Sequence, residues 1–133
     1  MKFKIALITC TLFTLISGCK KLEIPDEDSK EVIGSWRYLE SFHIINGESV
    51  AGLNSSNSID FSSKGVYRLF ENETQLEKSK FRFEKRKSIS GAERMMIIYH
   101  TGSSRVQSFD VIGDTLRLYD EFYDGFEFTY IRK

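Results

Sequence analysis

From residue 57 to the end of the chain, apolar side chains recur at every second position in short runs, and each run is closed by turn residues. A period of two places residues i and i+2 on the same face of an extended strand, whereas a helix would need a period of 3.6. Phe126, Phe128 and Tyr130 alternate with Glu127 and Thr129, and the same spacing joins Ile59 to Phe61, Tyr67 to Leu69 and Phe81 to Phe83. In the earlier segment 34–45, Trp36, Phe42 and Ile44 share one parity. Turn signals fall between the runs: Asn46-Gly47, Ser63-Lys64-Gly65, the stretch 87–92 around Gly91, Thr101-Gly102-Ser103, Gly113-Asp114 and the looser 120–125. The pattern predicts eight strands, over 34–45, 57–62, 66–70, 76–86, 93–101, 105–112, 115–119 and 126–132. The fifth, apolar on both faces from Met95 to Tyr99, is expected to be well covered. Residues 48–56 read as a loop. Eleven Phe, six Tyr and one Trp, with Pro25 the only proline, favour strands throughout. Eight short strands and no evident helix in this region predict an all-β antiparallel barrel or sandwich.

The amino terminus follows a different logic. Lys2 and Lys4 precede an apolar run, Ile5 to Ile16, broken only by threonine and cysteine, and Ser17-Gly18 leads into Cys19. A basic start, a short apolar stretch and small residues before a cut make an export signal. The run is about 12 residues, short of the ~20 that a membrane-crossing helix needs. Leu15-Ile16-Ser17-Gly18-Cys19 resembles the lipobox of bacterial lipoprotein signals. The resemblance implies cleavage between Gly18 and Cys19 and lipidation, palmitate included, of the Cys19 thiol. Cys10 is lost with the signal, so lipidation of Cys19 leaves the exported chain no free thiol. Three acyl chains, as such proteins usually carry, would anchor firmly where one chain holds only marginally. Lys20, in place of an aspartate, favours the outer membrane over the inner. Residues 19–32 then read as the lipidated cysteine and a flexible, charge-rich linker with the acidic run Asp26-Glu27-Asp28, and residues 33–133 as one domain.

Charge and motif content exclude several function classes. Without Lys2 and Lys4 the exported chain has 17 basic against 19 acidic residues, so no basic excess supports nucleic-acid binding. His43 and His100 lie on separate predicted strands without a spaced ligand set, and no metal or other cofactor is expected. Asp110, Asp114, Asp120, Glu121 and Asp124 fall at strand ends and turns, where aspartate bonds local backbone, and they lack calcium-loop spacing. No serine sits in a Gly-x-Ser-x-Gly elbow. With no catalytic constellation visible, the chain is not expected to be an enzyme.

The domain opens Val32-Ile33-Gly34-Ser35-Trp36, continues through a Phe-Ser-Ser-Lys-Gly-Val-Tyr hairpin at 61–67, and later reads Phe109-Asp110-Val111-Ile112-Gly113-Asp114-Thr115-Leu116 before its final strand. In that order the motifs resemble the lipocalin-like domains of small bacterial lipoproteins of the Bacteroidota type. The resemblance implies an eight-stranded up-and-down barrel that often holds a small apolar ligand. It also implies that Trp36 closes the barrel base and that a late arginine, Arg132 or Arg117, packs across it. Trp36, Phe42, Phe61, Tyr67, Phe83, Phe128 and Tyr130 become candidate ligand contacts, although in an interior this narrow such side chains, Phe81 included, are expected to pack the core sooner than to touch a ligand. The expected role is binding of a small apolar or amphipathic molecule in the cell envelope. The alternative is a ligand-free accessory module of an outer-membrane complex, with Tyr119, Phe122 and Tyr123 as contact anchors for an envelope protein partner.

Overall fold

The computed structural model describes residues 21–51, 56–101 and 105–133. Gly18 and Cys19, and with them the expected cleavage and lipidation site, lie outside these residues. Among the described residues the chain forms a short helix, α1 (Glu27–Val32), and nine strands: β1 (Gly34–His43), β2 (Ser49–Ala51), β3 (Ser58–Phe61), β4 (Val66–Glu71), β5 (Thr74–Lys87), β6 (Glu93–His100), β7 (Val106–Ile112), β8 (Thr115–Asp120) and β9 (Phe126–Arg132). From β3 to β9 each strand pairs antiparallel with the next. β1 pairs with both β3 and β9, which closes an eight-stranded antiparallel up-and-down barrel. The eight predicted strands are all present. β2 is a ninth, a three-residue addition on the end of β1, within the segment expected to be a loop.

The helix is a second departure. Residues 19–32 were expected to form a flexible linker because charge-rich chain buries little, yet 27–32 is helical. The Asp26 side chain caps it by accepting from Ser29 N–H at 2.7 Å. Glu27 and Asp28 suit the positive end of its backbone dipole. Ser29 and Val32 are fully buried. Six residues with two inward contacts carry too little periodicity to be read from sequence, and packing against the barrel is what stabilises so short a helix.

α1 and Trp36 close one end of the barrel. The Trp36 indole N–H donates to the Val32 carbonyl at 2.8 Å. Trp36 pairs across strands with Arg132, whose guanidinium lies 4.1 Å from the indole centroid. From there Arg132 donates to the Glu31 carbonyl at 2.9 Å and the Ile33 carbonyl at 3.4 Å, satisfying acceptors that a helix leaves open at its C-terminal end. Arg117 is instead on the outside, 3.6 Å from Glu127. Gly34, at φ +143°, makes this approach possible, since a Cβ there would stand 2.9 Å from an Arg132 nitrogen.

Above this plug the barrel is filled by rings. Phe61 contacts Tyr67, Phe81 and Tyr99 at centroid distances of 5.3, 5.1 and 6.3 Å, and Phe83 bridges Phe81 to Phe109. Ile59, Ile97, Leu116 and Leu118 complete the core. Phe42 does not join it. A β-bulge between Tyr38 and Glu40 inserts one residue into β1, so that Ser41 turns inward and Phe42 outward, where it is 40% exposed.

Replacing Arg132 by methionine keeps the aliphatic stem but removes the cation–π contact and two charge-assisted hydrogen bonds. Together these contribute about 2 kcal/mol, which lowers the melting temperature of a domain this size by about 10 °C. Trp36, the only tryptophan, reports the transition by fluorescence, and an unchanged melt would contradict the assignment.

Candidate functional site

At the end opposite α1 the barrel is not filled. A cavity of about 310 Å³ opens there, lined by Tyr38 from β1, Asn57 and Ser58 at the start of β3, Tyr67 and Leu69 from β4, Arg105 before β7, and Phe128 and Tyr130 from β9. Its volume is at the lower end for small-molecule sites and corresponds to about ten waters. The seven aromatic candidates therefore separate. Tyr67, Phe128 and Tyr130 line the cavity. Trp36, Phe61 and Phe83 pack in the core beneath it. Phe42 lies on the outer face, a correction that follows from the bulge.

The polar residues of the site were the part that sequence reasoning missed. The Arg105 guanidinium lies 4.4 Å from the Tyr99 ring centroid and 5.6 Å from that of Tyr67. It donates to Gln107 Oε1 at 3.1 Å, and the Tyr99 hydroxyl donates to the same oxygen at 2.9 Å. Gln107 Nε2 then donates to Asp120 Oδ1 at 2.8 Å, and Asp120 Oδ2 accepts from Phe126 N–H at 3.1 Å. Gln107 and Asp120 are both buried. A half-buried cation and a buried carboxylate are thus joined through one amide. Asp120 does bond local backbone, as its place at a strand end predicts, but it also anchors this interior chain. Gly125 allows the β8–β9 loop to close on it, because a Cβ at Gly125 would meet Asp120 Cβ at 2.6 Å.

Burial pushes the hydroxyls of Tyr99 and Tyr130 well above the ordinary tyrosine value near 10 and raises that of Tyr67 as well, and the nearby positive charge of Arg105 only partly offsets it. Beside the cavity, Tyr38 donates to Ser41 at 2.9 Å and packs edge-on against Tyr130 at 5.7 Å.

The rim has its own character. His43 pairs with Asp124 at 2.9 Å and with Asn46 at 2.8 Å, which ties the β1–β2 turn to the β8–β9 loop. Around this tie Phe42, Ile44, Ile45, Phe122 and Tyr123 are exposed. Tyr119 differs from the other two proposed anchors, since the Arg94 guanidinium covers its ring at 5.2 Å. Among the described residues no three histidine, cysteine or acidic side chains are grouped as metal ligands would be, and His100 faces Arg82 at 2.9 Å. The remaining acidic residues of the late cluster serve as structural partners: Asp110 accepts from Arg94 at 2.7 Å, and Glu121 accepts from Ser88 and from Ile89 N–H.

Fold and site together define a closed antiparallel barrel, plugged at one end and open at the other onto a small aromatic cavity containing one arginine. No family model, no curated protein and no solved structure matches the chain.

Alkali tests the burial of the tyrosines. An unfolded tyrosine ionises near pH 10, while Tyr67, Tyr99 and Tyr130 stay protonated in the folded barrel. Above pH 10 the unfolded state has therefore lost protons that the native state keeps, so stability is full below pH 10 and falls as pH rises past it. Tyrosinate absorbance should lag and then rise together with loss of buried Trp36 fluorescence. Smooth ionisation of every tyrosine near pH 10 while Trp36 remains buried would contradict the packing described.

Proposed function

We propose that this is a lipid-anchored, lipocalin-like binding protein of the bacterial envelope, which holds a small amphipathic molecule in the open end of its barrel and catalyses no reaction. The observation that carries the reading is the cavity of about 310 Å³, with Leu69, Phe128 and Tyr130 offering apolar surface and Arg105 and Asn57 offering polar groups. An apolar pocket with a few convergent polar groups is what small-molecule recognition requires. The aromatic rings filling the other half of the barrel limit the ligand to a compact body.

The anchor is compatible with such a role. Leu22 lies against Gly65 at the start of β4, the end that α1 occupies. A chain held at Cys19, on the outer membrane, would leave from this end, and the mouth would face away from the tether towards the aqueous space.

A second reading has its own support. Phe122 is 53% exposed and Tyr123 87%, beside the outward Phe42, Ile44 and Ile45, and such an apolar rim suits contact with an envelope protein. The two readings differ in what they recover.

Native mass spectrometry of protein taken from its own membrane should find a co-purifying small molecule, and a panel of lipids and metabolites should include members that raise the melting temperature. A barrel that is always empty and never stabilised would overturn the binding role and leave the protein-contact reading.

A further inference from the structure

We infer that the cavity selects a monocarboxylate: a small acid whose carboxylate sets against Arg105 and whose compact apolar or aromatic body fills the space beside Leu69, Phe128 and Tyr130. The inference rests on the binding role proposed above and names the chemical class of its ligand. Its starting point is an incompletely paired cation inside the barrel. An arginine carries five N–H donors and stays charged at any pH a protein meets, and burying it is costly unless the charge is paired. Among the described residues Arg105 forms no ion pair, and its buried Nε has no acceptor. Its hydrogen-bond partners are all neutral: the Gln107 amide oxygen and the hydroxyls of Tyr67 and Tyr99. Asp120, the carboxylate of the same chain, is held one residue away by the far side of that amide. Tyr67 and Tyr99 lie against the guanidinium, which restrains it as a preorganised donor would be restrained.

The lining also fixes how much charge the ligand brings. Among the described residues Arg105 is the one cation lining the cavity, and none of those lining it is acidic. A single negative charge is therefore balanced there. A phosphate monoester, at nearly two charges and three acceptor oxygens, would need more donors than one arginine supplies. A planar carboxylate matches the edge of a guanidinium through paired hydrogen bonds. The volume favours a small acid over a long acyl chain lodged wholly inside.

Calorimetric titration of the full chain in detergent, with 4-phenylbutyrate, the uncharged 4-phenylbutanol and phenyl phosphate, tests this. The acid should bind about tenfold or more tighter than the alcohol and the phosphate ester, as a charge-assisted contact implies. Its advantage should disappear as pH falls below the acid's own pKa. Arg105→Gln should abolish the advantage while leaving alcohol binding in place, and Arg105→Lys should keep part of it. Should neither glutamine nor lysine fold, the pH dependence with the unaltered chain decides alone. Equal binding of acid and alcohol, an advantage that ignores pH, or tighter binding of the phosphate ester each overturns the inference while leaving the cavity as a ligand site. Binding of none of the probes overturns it too and, with an empty native barrel, removes the binding role as well.

Discussion

The contact between Trp36 and Arg132 is the one on which the rest of the barrel depends. These residues sit opposite each other on the first and last strands, so their stacking at 4.1 Å joins the two strands that an open sheet would otherwise expose as unpaired edges. The same guanidinium takes the free carbonyls of Glu31 and Ile33 and so locks the short helix across the opening. Gly34 suits this place because its φ of +143° is strained for any side chain and a Cβ would displace the guanidinium. One closure thus combines strand pairing, an end plug and the packing of the sole tryptophan, whose full burial contributes as much as any core residue.

Closing one end by a plug leaves the interior divided. Next to it, Phe61, Tyr67, Phe81 and Tyr99 form an interlocked set of rings. Farther along, the inward residues change from hydrocarbon to polar: Ser41, Arg105, Gln107 and Asp120. Buried groups of this kind are tolerated only when they bond to one another, and the chain from Arg105 through Gln107 to Asp120 does so. What it leaves over is a positive charge at the cavity wall. The fold therefore puts its plug at one end and a cavity at the other.

Much of this architecture is legible in the residues. Period-two alternation with glycine and asparagine turns locates all eight barrel strands, because a strand half exposed to water must alternate. Three features escape that logic. The bulge at Tyr38 and Glu40 reverses parity midway along β1, so Phe42, in step with Trp36 by sequence, faces outward. α1 is too short for periodicity and is held by a cap at Asp26 and by the buried Val32. The polar half of the site is hidden for another reason. Arg105 follows the sequence Gly-Ser-Ser and Asp120 ends its strand, positions where charge is ordinarily solvated, and only closure of the barrel turns both inward. Inward parity and ring size do not separate the aromatic half of the cavity, Tyr67, Phe128 and Tyr130, from Trp36, Phe61 and Phe83, which pack in the core beneath it.

The central claim is that the two ends of the barrel have separate roles, one structural and one for recognition. A single NMR titration of the protein with 4-phenylbutyrate addresses both, by following the Trp36 indole N–H, the Arg105 Nε–H and the Gln107 side-chain amide together. The account predicts saturable shifts of the Arg105 and Gln107 signals while the Trp36 signal, bonded to Val32, stays in place. Shifts centred on Trp36 with Arg105 unmoved, or no shift at any of the three, would contradict it.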